Sequence, residues 1–424
     1  MTAAGDGDHG YVAAGFEPVR EALVNSPLVG AGGAAFAAYV DGELAVDVRT
    51  GFARPGTPWQ PDTLAVLMSV TKSFVAFDLQ LLDDRGELDL DAKVAKYWPE
   101  FAAAGKQDVT VRQVLTHTAG AIRVPPQLRL MKGDGEGWDD YEAIAAAIAA
   151  EPPAWQPGSR HGYHALTFGW LAGEIVRRIT GTSPGSFFRS EVIEPLGLDI
   201  HIAATDDDLA RVAKVVNFDP AELDFPQRQL MPRVMAKMTD PTTLAGMAMA
   251  GNGDSSLVVQ AVDLMEHGGI LRAEVMSSSG LATASALARF FSILALGGEV
   301  DGKRLVSEES VRKWSRPVIT AGDVTITDSP PRWLVKLGKL EKTTAVTRTL
   351  GYLYNDPPAK GPRWFGPTPT AVGGLGAGGQ VGFADPVRRV SGGFIRSAMA
   401  HKPEYGNLVI HTFYDCLRRT SSPT

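Results

Sequence analysis

A serine and a lysine three residues apart, Ser69 and Lys72, stand at the start of an apolar segment. Phe74, Val75 and Leu79 continue this segment at helical spacing, so we expect a helix in which the serine and the lysine share one face. A buried lysine loses its proton readily and can then act as the base for a serine nucleophile. The first helical turn also offers free backbone N–H groups to a developing oxyanion. The pair therefore predicts acyl-transfer chemistry at Ser69.

Two other serine motifs match known nucleophile patterns but are predicted to be structural. Ser310 and Lys313 repeat the Ser-x-x-Lys spacing inside a charged stretch that is typical of an exposed, capped helix. Residues 181–185 match Gly-x-Ser-x-Gly, but that nucleophile elbow needs a preceding strand, and here a helix precedes it. We expect its first glycine to end that helix, and Ser183 and Pro184 to begin the next one.

Two further side chains could take part in proton transfer. Tyr163 follows the turn signal Pro157-Gly158 and precedes a long apolar helix, so its hydroxyl could reach into a cleft. His117 lies near the end of a short helix that we expect to stop at Gly120. By themselves, these positions favour structural roles: a tyrosine packed at a helix start and a histidine bonded to nearby backbone.

The composition of the 424 residues is that of an ordinary globular protein, with 44% apolar and 21% charged residues. The net charge of −7 and the scattered basic residues give no reason to expect nucleic acid or an anionic membrane as a partner. No apolar run approaches the ~18 residues of a membrane span. Residues 1–10 lack the pattern of a secretion signal, so a cytoplasmic location is expected.

The single cysteine, Cys416, excludes an internal disulfide and a cysteine-rich metal site. It falls in the apolar pattern of a C-terminal helix over Leu408 to Leu417, which predicts a buried thiol. The sequence contains neither the His-Glu-x-x-His spacing of a zinc site nor a phosphate-binding loop. We therefore expect no metal and no other cofactor.

The remaining elements indicate a sheet with helices around it. Ala34 to Val40 and Glu43 to Val48 flank Asp41-Gly42, a strong hairpin signal. Tyr11 to Val24 has helical spacing.

Seven of the eleven methionines lie in the irregular stretch 201–276. We expect them to pack in the core rather than to line a binding site for an acyl group.

In their order along the chain, these pieces resemble the serine hydrolase superfamily of class C β-lactamases, penicillin-binding proteins and family VIII carboxylesterases. The resemblance covers nearly the whole chain. The stretches that carry it are Ser69–Lys72, Leu115–Gly120, Pro157-Gly158 before Tyr163, Gly280–Ala284, Gly376–Gly379 and Gly382–Pro386.

The resemblance implies an α+β fold of the β-lactamase/transpeptidase type. It would contain an antiparallel sheet flanked by helices, built from both chain ends, and an inserted, mostly helical domain. We expect residues 11–95 and 280–424 to form the sheet domain, and residues 96–279 to form the helical domain with its methionine-rich insert. Residues 1–10 would be a flexible N-terminus, and the active site would lie between the domains.

The resemblance also implies roles for individual residues. Ser69 matches the nucleophile, Lys72 the base that activates it, and Tyr163 the tyrosine that passes a proton to the leaving group. The backbone N–H groups of Ser69 and Ala377 match the oxyanion hole. Such a set is chemically sufficient for acyl transfer, since nucleophile, proton shuttle and oxyanion donors each lower the barrier.

Two departures from the family pattern set the expected substrate. The Tyr-x-Asn motif is Tyr163-His164-Ala165 here, so the asparagine that recognises an amide is missing. The third motif, Lys-Thr-Gly or its esterase form with His or Trp first, aligns with Gly374, Leu375 and Gly376, which supply no cation for a substrate carboxylate. Losing such a charged hydrogen bond costs about 1.5–3 kcal/mol. We therefore expect His164 and this stretch to contact esters with an apolar or neutral acyl part, and β-lactamase and peptidase activity to be poor.

The leading hypothesis is a carboxylesterase that acts on small-molecule esters through a Ser69 acyl-enzyme. A transacylase, or an enzyme acting on amides or thioesters, would use the same residues, so the sequence leaves the acceptor open. A non-catalytic binding protein that kept the fold is the alternative from another class. The combination of Ser69, Lys72 and Tyr163 argues against it. The oligomeric state is not indicated.

Overall fold

The computed structural model describes residues 9–26, 29, 32–124, 137–217, 229, 236–249, 268–327, 345–356, 363–399 and 406–420. Within these ranges the strands are β1 (Gly10–Val12), β2 (Gly33–Val40), β3 (Glu43–Arg54), β4 (Thr57–Pro58), β5 (Ala65–Val66), β6 (Ile200–His201), β7 (Leu281–Ala282), β8 (Glu299–Val300), β9 (Lys303–Arg304), β10 (Ile319–Gly322), β11 (Ala345–Arg348), β12 (Leu353–Tyr354), β13 (Val372–Gly376), β14 (Gln380–Asp385) and β15 (Val390–Arg396).

The helices in the same ranges are α1 (Glu17–Val24), α2 (Lys72–Asp84), α3 (Val111–Leu115), α4 (Tyr141–Ala150), α5 (Thr167–Thr180), α6 (Pro184–Phe188), α7 (Glu194–Leu196), α8 (Asp206–Arg211), α9 (Leu244–Met249), α10 (Gly269–Arg272), α11 (Ala284–Ala295), α12 (Glu308–Trp314), α13 (Val324–Thr327) and α14 (Asn407–Thr420). Short 3-10 turns span Met68–Thr71, Val94–Lys96 and Pro99–Gly105, and a π-helical turn spans Arg189–Ile193.

A large antiparallel sheet joins the two ends of the chain. Its ten strands follow the order β1–β3–β2–β15–β14–β13–β12–β11–β10, with β4 paired to β3. At the centre, the C-terminal strand β15 pairs with the N-terminal strand β2, Val390 opposite Val40 and Arg396 opposite Ala34. The α+β class expected from the sequence is therefore confirmed.

The two faces of the sheet pack against different helices. In β2, Phe36 and Ala38 join the apolar core that contains α1 and α14, whereas Ala35 and Ala37 join the core that contains α2 and α11. This alternation follows from the two-residue period of a strand. The sheet is thus a middle layer, and α2 brings Lys72 against one of its faces.

The hairpin predicted around Asp41-Gly42 is confirmed. Strands β2 and β3 pair antiparallel on either side of these two residues. Asp41 and Gly42 have φ of 50° and 87°. This left-handed backbone is what a two-residue hairpin turn requires.

The helix predicted over Tyr11 to Val24 is wrong in its first half. The chain starts with β1, which pairs with β3, and α1 begins only after Gly15. Gly15 has a φ of 88°, which a right-handed helix does not accept. Because Gly10 belongs to β1, the flexible N-terminus expected for residues 1–10 does not include it, and residues 1–8 lie outside the described residues.

The Gly-x-Ser-x-Gly match at residues 181–185 is a helix junction, as predicted. Gly181 ends α5 in the left-handed conformation. The Ser183 side chain accepts a hydrogen bond from the backbone N–H of Ser186, and Pro184 is the first residue of α6. The serine therefore caps a helix, where its hydroxyl stabilises the first turn.

Ser310 lies on a capped helix, but its predicted exposure is wrong. Ser307 caps α12 by accepting from the Ser310 backbone N–H. The Ser310 side chain is buried against α2, where its hydroxyl accepts a hydrogen bond from Gln80 Nε2 at 3.3 Å. Lys313 instead pairs with Asp83 at 2.8 Å. Because Lys313 is engaged by that carboxylate, this second Ser-x-x-Lys motif has no activated serine.

The C-terminal helix is present as α14, and Cys416 is buried on it, as predicted. Among the described helices, none combines the length and the apolar character that a membrane crossing needs.

The predicted division into a sheet domain and a helical domain stays a prediction. In the methionine-rich stretch, Met231, Met235 and Met265 lie outside the described residues.

Candidate active site

Ser69 and Lys72 meet at the start of α2. Ser69 lies on the 3-10 turn that leads into this helix, and Lys72 is the first helical residue. The Lys72 Nζ atom is 3.1 Å from Ser69 Oγ, within hydrogen-bond distance. The three-residue spacing thus places the two side chains together even though the turn is 3-10 rather than α-helical.

The backbone before Ser69 is strained and is held by hydrogen bonds. Met68 has a φ of 51°, which a side chain other than glycine rarely adopts. The buried Thr71 hydroxyl donates to Met68 O at 2.6 Å and accepts from the Gly280 N–H at 3.1 Å. The Leu67 N–H also donates to Gly280 O at 2.8 Å. The Gly280 segment, matched in the family resemblance, therefore anchors the turn that presents Ser69.

Lys72 is buried, and its surroundings favour the neutral amine. Its Nζ donates to the backbone oxygen of Ser277 at 2.9 Å. Burial lowers the pKa of Lys72 below its ordinary 10.5, and this effect outweighs the opposite influence of Tyr163. A neutral amine keeps one lone pair, which can accept the Ser69 hydroxyl proton.

Tyr163 lies beside this pair. Its ring centroid is 4.9 Å from Lys72 Nζ. Burial by itself raises the pKa of the Tyr163 hydroxyl, but Lys72, hydrogen bonding to Ser69 and the Arg348 guanidinium together bring it below the ordinary 10. The Tyr163 hydroxyl is therefore more acidic than that of a free tyrosine.

The turn that carries Tyr163 is clamped from two sides. On one side, the Tyr163 N–H donates to Asp323 Oδ1 at 3.2 Å, and the Val324 N–H donates to His161 O at 3.0 Å. On the other side, the Gly162 N–H donates to the backbone oxygen of His117 at 3.1 Å. Segments far apart in the sequence thus fix the position of the phenol.

His117 supports this turn through its ring as well as its backbone. Helix α3 ends at Leu115, earlier than the predicted Gly120, and His117 follows with a φ of 57°. Its Nδ1 accepts a hydrogen bond from the His164 N–H at 3.1 Å. Burial lowers the pKa of His117 well below 6.5, so the ring is neutral and able to accept. The ring thus bonds to backbone, as predicted, but the donor belongs to the Tyr163 turn and is not close to His117 in the sequence.

His164 lies behind the cavity and does not line it. Its ring is fully buried, with Nδ1 2.7 Å from Gly162 O. Burial lowers the pKa of His164 to about 3, so the ring is neutral. The predicted substrate contact is therefore corrected: His164 supports the Tyr163 turn from behind, while Tyr163 and Ala165 line the cavity on either side of it.

The predicted third motif lies on β13, which packs against the turn that carries Ser69. Gly374, Leu375 and Gly376 of β13 all line the cavity. A Cβ on Gly376 would lie 2.3 Å from Leu67 O, and one on Gly374 would lie 2.7 Å from Ser73 Oγ. The backbone contact requires glycine at position 376, whereas a side chain at position 374 would need the Ser73 hydroxyl to move.

Ala377 follows β13 directly and also lines the cavity. Among the described residues, no backbone partner accepts a hydrogen bond from its N–H. Its assignment to the oxyanion hole, together with the N–H of Ser69, stays a prediction.

These residues surround a cavity of about 430 Å³. Most of its wall is apolar and includes Met68, Trp138, Leu166, Met249, Ile270 and Leu353. Such a cavity suits the apolar body of a small molecule. In the described part of the chain, no group of three His, Cys, Asp or Glu side chains could hold a metal ion.

Sequence reasoning missed Arg348, a buried cation that lines the same cavity. Its Cζ is 5.2 Å from the Tyr163 ring centroid, and its Nε donates to His161 Nε2 at 2.9 Å. Burial lowers the pKa of His161 to about 3, so the imidazole accepts as a neutral ring. The third motif on β13 carries no cation, as the sequence shows, but Arg348 of β11 brings one to the cavity wall.

The family model described as Beta-lactamase matches residues 24–405. The chain is 35% identical over 291 residues to the esterase/β-lactamase LipL of Mycobacterium tuberculosis, covering 67% of this chain and 63% of LipL. It is 34% identical over 160 residues to esterase EstB of Burkholderia gladioli, covering 34% of this chain and 39% of EstB. Each match thus spans less than two thirds of the relative's length.

Solved structures match over nearly the full chain. A family VIII carboxylesterase superposes with a TM-score of 0.77 at 30% identity, covering 96% of this chain and 99% of that one. A penicillin-binding protein homologue from Caulobacter crescentus gives a TM-score of 0.76 at 32% identity, with the same coverage of 96% and 99%. The β-lactamase/transpeptidase type of fold implied by the sequence motifs is therefore confirmed.

Proposed function

Because the chain belongs to the β-lactamase family of serine hydrolases, we propose that it hydrolyses carboxylic esters of small molecules through an acyl-enzyme on Ser69. The observation that carries this proposal is the 3.1 Å separation between Ser69 Oγ and the buried Lys72 Nζ. The names of two relatives, an esterase/β-lactamase and an esterase, and the likeness to a carboxylesterase structure support it.

In the acylation step, Ser69 Oγ attacks the ester carbonyl carbon while its proton passes to the neutral Lys72 amine. The carbonyl oxygen becomes an oxyanion, which the N–H groups of Ser69 and Ala377 stabilise. When the tetrahedral intermediate collapses, the bond to the alcohol oxygen breaks and that oxygen takes a proton through Tyr163. The products of this half-reaction are the free alcohol and the Ser69 ester.

Deacylation repeats these steps with water. The water gives its proton to the Lys72–Tyr163 pair as it attacks the acyl carbon, and Ser69 Oγ recovers a proton as it leaves. The carboxylic acid is released and the starting protonation state returns. An alcohol or an amine in place of the water would give the transferred product instead.

The walls of the cavity favour esters over β-lactams. Ala165 stands where the family has an asparagine, and its methyl group lines the cavity without a donor or acceptor. A β-lactam amide would lose that hydrogen bond, whereas an ester with an apolar acyl chain needs only apolar contact. The proposed substrates are therefore carboxylic esters whose acyl body fits an apolar cavity.

Parallel turnover of p-nitrophenyl butyrate and nitrocefin tests this proposal. We expect kcat/KM for the ester to exceed that for nitrocefin by at least about tenfold, because of the missing amide contact. Comparable values would contradict the ester preference. A folded protein that turns over neither compound, with or without an added alcohol acceptor, would favour a binding protein instead.

A further inference from the structure

In the part of the chain that the structure describes, the Arg348 guanidinium is incompletely satisfied at the cavity wall. The residue is 8% exposed. Within the described residues, its one hydrogen bond is the donation from Nε to His161 Nε2. The Nη1 and Nη2 groups donate to none of these residues, and none of their carboxylates forms a salt bridge with the guanidinium. The described residues thus leave four N–H donors at the forked end for a ligand.

Such an arrangement is costly unless an anion completes it. A buried cation without a counter-ion loses its hydration and gains little in return. Burial accordingly lowers the pKa of Arg348 from its ordinary 12.5, while Tyr163 and Asp323 only partly oppose this effect. Asp323 Oδ1 is already an acceptor for Tyr163 N and for the Thr325 hydroxyl. Asp323 also lines the cavity and attracts Arg348, but it forms no salt bridge with the guanidinium. The positive charge at this end of the cavity is therefore only partly offset by the described residues.

This positive end is close to the reacting groups. Lys72 Nζ and Arg348 Cζ lie 4.9 Å and 5.2 Å from the same Tyr163 ring centroid. A substrate with its carbonyl at Ser69 therefore needs to extend past only one tyrosine ring to reach Arg348. A planar carboxylate also matches the fork of the guanidinium, which binds such groups with two parallel hydrogen bonds.

We infer that Arg348 forms an anion subsite and that the ester substrate carries a second, free carboxylate, as the half-ester of a short dicarboxylic acid does. The inference rests on the proposed function and narrows its substrate class. It replaces the neutral acyl part expected from the sequence with an apolar chain that ends in a charge. His161 and Tyr163 hold the guanidinium while its Nη groups bind the carboxylate.

The test is a binding measurement on Ser69→Ala, so that no turnover intervenes. The two probes are N-phenylsuccinamic acid and its neutral isostere N-phenyl-4-methylpentanamide, and their Kd values are measured by calorimetry. We expect the carboxylate probe to bind about tenfold to 100-fold more tightly, which is the usual effect of charged hydrogen bonds. If the two probes bound Ser69→Ala with equal affinity, the inference would be overturned. This part of the test needs no substitution at Arg348.

Variants of Arg348 in the same background locate the effect. Arg348→Met removes the charge and the donors, and the ratio of the two affinities should fall by at least about tenfold. Arg348→Lys keeps the charge without the fork and should restore part of the ratio. An unchanged ratio in a folded Arg348→Met protein would mean that Arg348 only supports Tyr163. Inorganic phosphate that competes as strongly as succinate would overturn the carboxylate assignment.

The two proposals fail in different ways. Turnover of a neutral ester without any affinity for the carboxylate probe would remove the anion subsite and leave the esterase intact. A clear carboxylate preference that depends on Arg348, in a protein that cleaves no ester, would keep the subsite and remove the proposed reaction.

Discussion

The protonation state of Lys72 governs the chemistry proposed for Ser69. The amine is buried, donates to Ser277 O, and lies beside a second basic group, Arg348. Its pKa is lowered from 10.5, chiefly by burial. The neutral form that accepts the serine proton is therefore populated at a lower pH than in a free lysine.

Activity should rise with pH because of this group. Below the lowered pKa, Lys72 is charged and cannot accept a proton, so kcat/KM should increase with pH and level off once the amine is neutral. The measurement is ester turnover from about pH 6 to about pH 9, with unfolding monitored at each pH. A flat profile would contradict the assignment of Lys72 as the base. Lys72→Arg, which keeps its charge throughout, should remain inactive across the range.

Local spacing made some of these residues predictable. Ser69 and Lys72 are three residues apart, so their contact follows from helical geometry. Arg348 could not be found in this way, because it lies on a short strand in a stretch without a motif and reaches the site only through sheet pairing. The prediction for His164 failed for a different reason. Its position next to Tyr163 in the sequence does not tell which of the two side chains faces the cavity.

At the level of elements, the start of α2 depends on a contact with a distant segment. The Thr71 hydroxyl ties Met68 O to the Gly280 N–H, and it does so in a fully buried position. These bonds hold the strained backbone before Ser69 in place. The position of Ser69, the proposed nucleophile, is therefore set partly by residues about two hundred positions away.

Replacing Thr71 with valine should weaken both the fold and the site. The variant keeps the shape of the side chain but leaves the buried Gly280 N–H without its acceptor, which should cost about 1–3 kcal/mol. Ester turnover should fall as the Ser69 turn loosens. The matched control is Thr412→Val, which removes an exposed hydroxyl bond to Leu408 O and should change stability by less than about 0.5 kcal/mol. Urea unfolding and turnover that match the wild type in both variants would contradict this account.

The elements themselves were predictable where their signals are local. Helix α5 ends at Gly181 and α6 starts after Ser183 because these residues carry the capping chemistry. The prediction failed at Tyr11, because β1 is created by pairing with a strand that begins at Glu43. No local pattern encodes such long-range pairing.

On the scale of the whole molecule, the core contains a buried acid with no role in the proposed mechanism. Asp78 lies on α2 with its side chain completely buried, and within the described residues neither carboxylate oxygen has a hydrogen-bond partner. Burial raises the pKa of Asp78 well above 3.8, and the nearby Glu191 and Glu274 add to this. The folded protein therefore keeps this group neutral to a higher pH than the unfolded chain does.

This group should make stability depend on pH. Below the pKa of the unfolded chain, Asp78 is protonated in both states and makes no pH-dependent contribution to stability. As the pH rises above that value, the unfolded state ionises first, so folding loses up to about 1.4 kcal/mol per pH unit until the folded pKa is passed. Asp78→Asn should therefore gain stability relative to wild type between about pH 4 and pH 7. The measurement is urea unfolding across this range.

The control for Asp78 is Asp139→Asn, which removes an exposed carboxylate. Because this side chain is exposed, the substitution should change the free energy of unfolding by less than about 0.5 kcal/mol. A constant difference between wild type and Asp78→Asn across the range would mean that the acid is ionised in the folded state, contrary to this account.

The architecture as a whole came from the order of the motifs rather than from composition. Glycine-rich and Ser-x-x-Lys stretches in one sequence order identified a sheet built from both chain ends, which β15 beside β2 bears out. Charge and hydrophobicity indicated only that the chain is an ordinary globular protein. Arg348 could not be predicted at this scale, because it lies on β11, a short strand between β12 and β10, and belongs to none of these motifs.

The most direct test of the central claim is the location of the acyl group. The protein is mixed with p-nitrophenyl butyrate, quenched in acid during turnover, and examined by intact mass and peptide mapping. We predict one butyryl group, attached to Ser69, and neither adduct nor turnover in a folded Ser69→Ala protein. An adduct on another residue, or undiminished turnover by Ser69→Ala, would contradict the claim that Ser69 is the nucleophile.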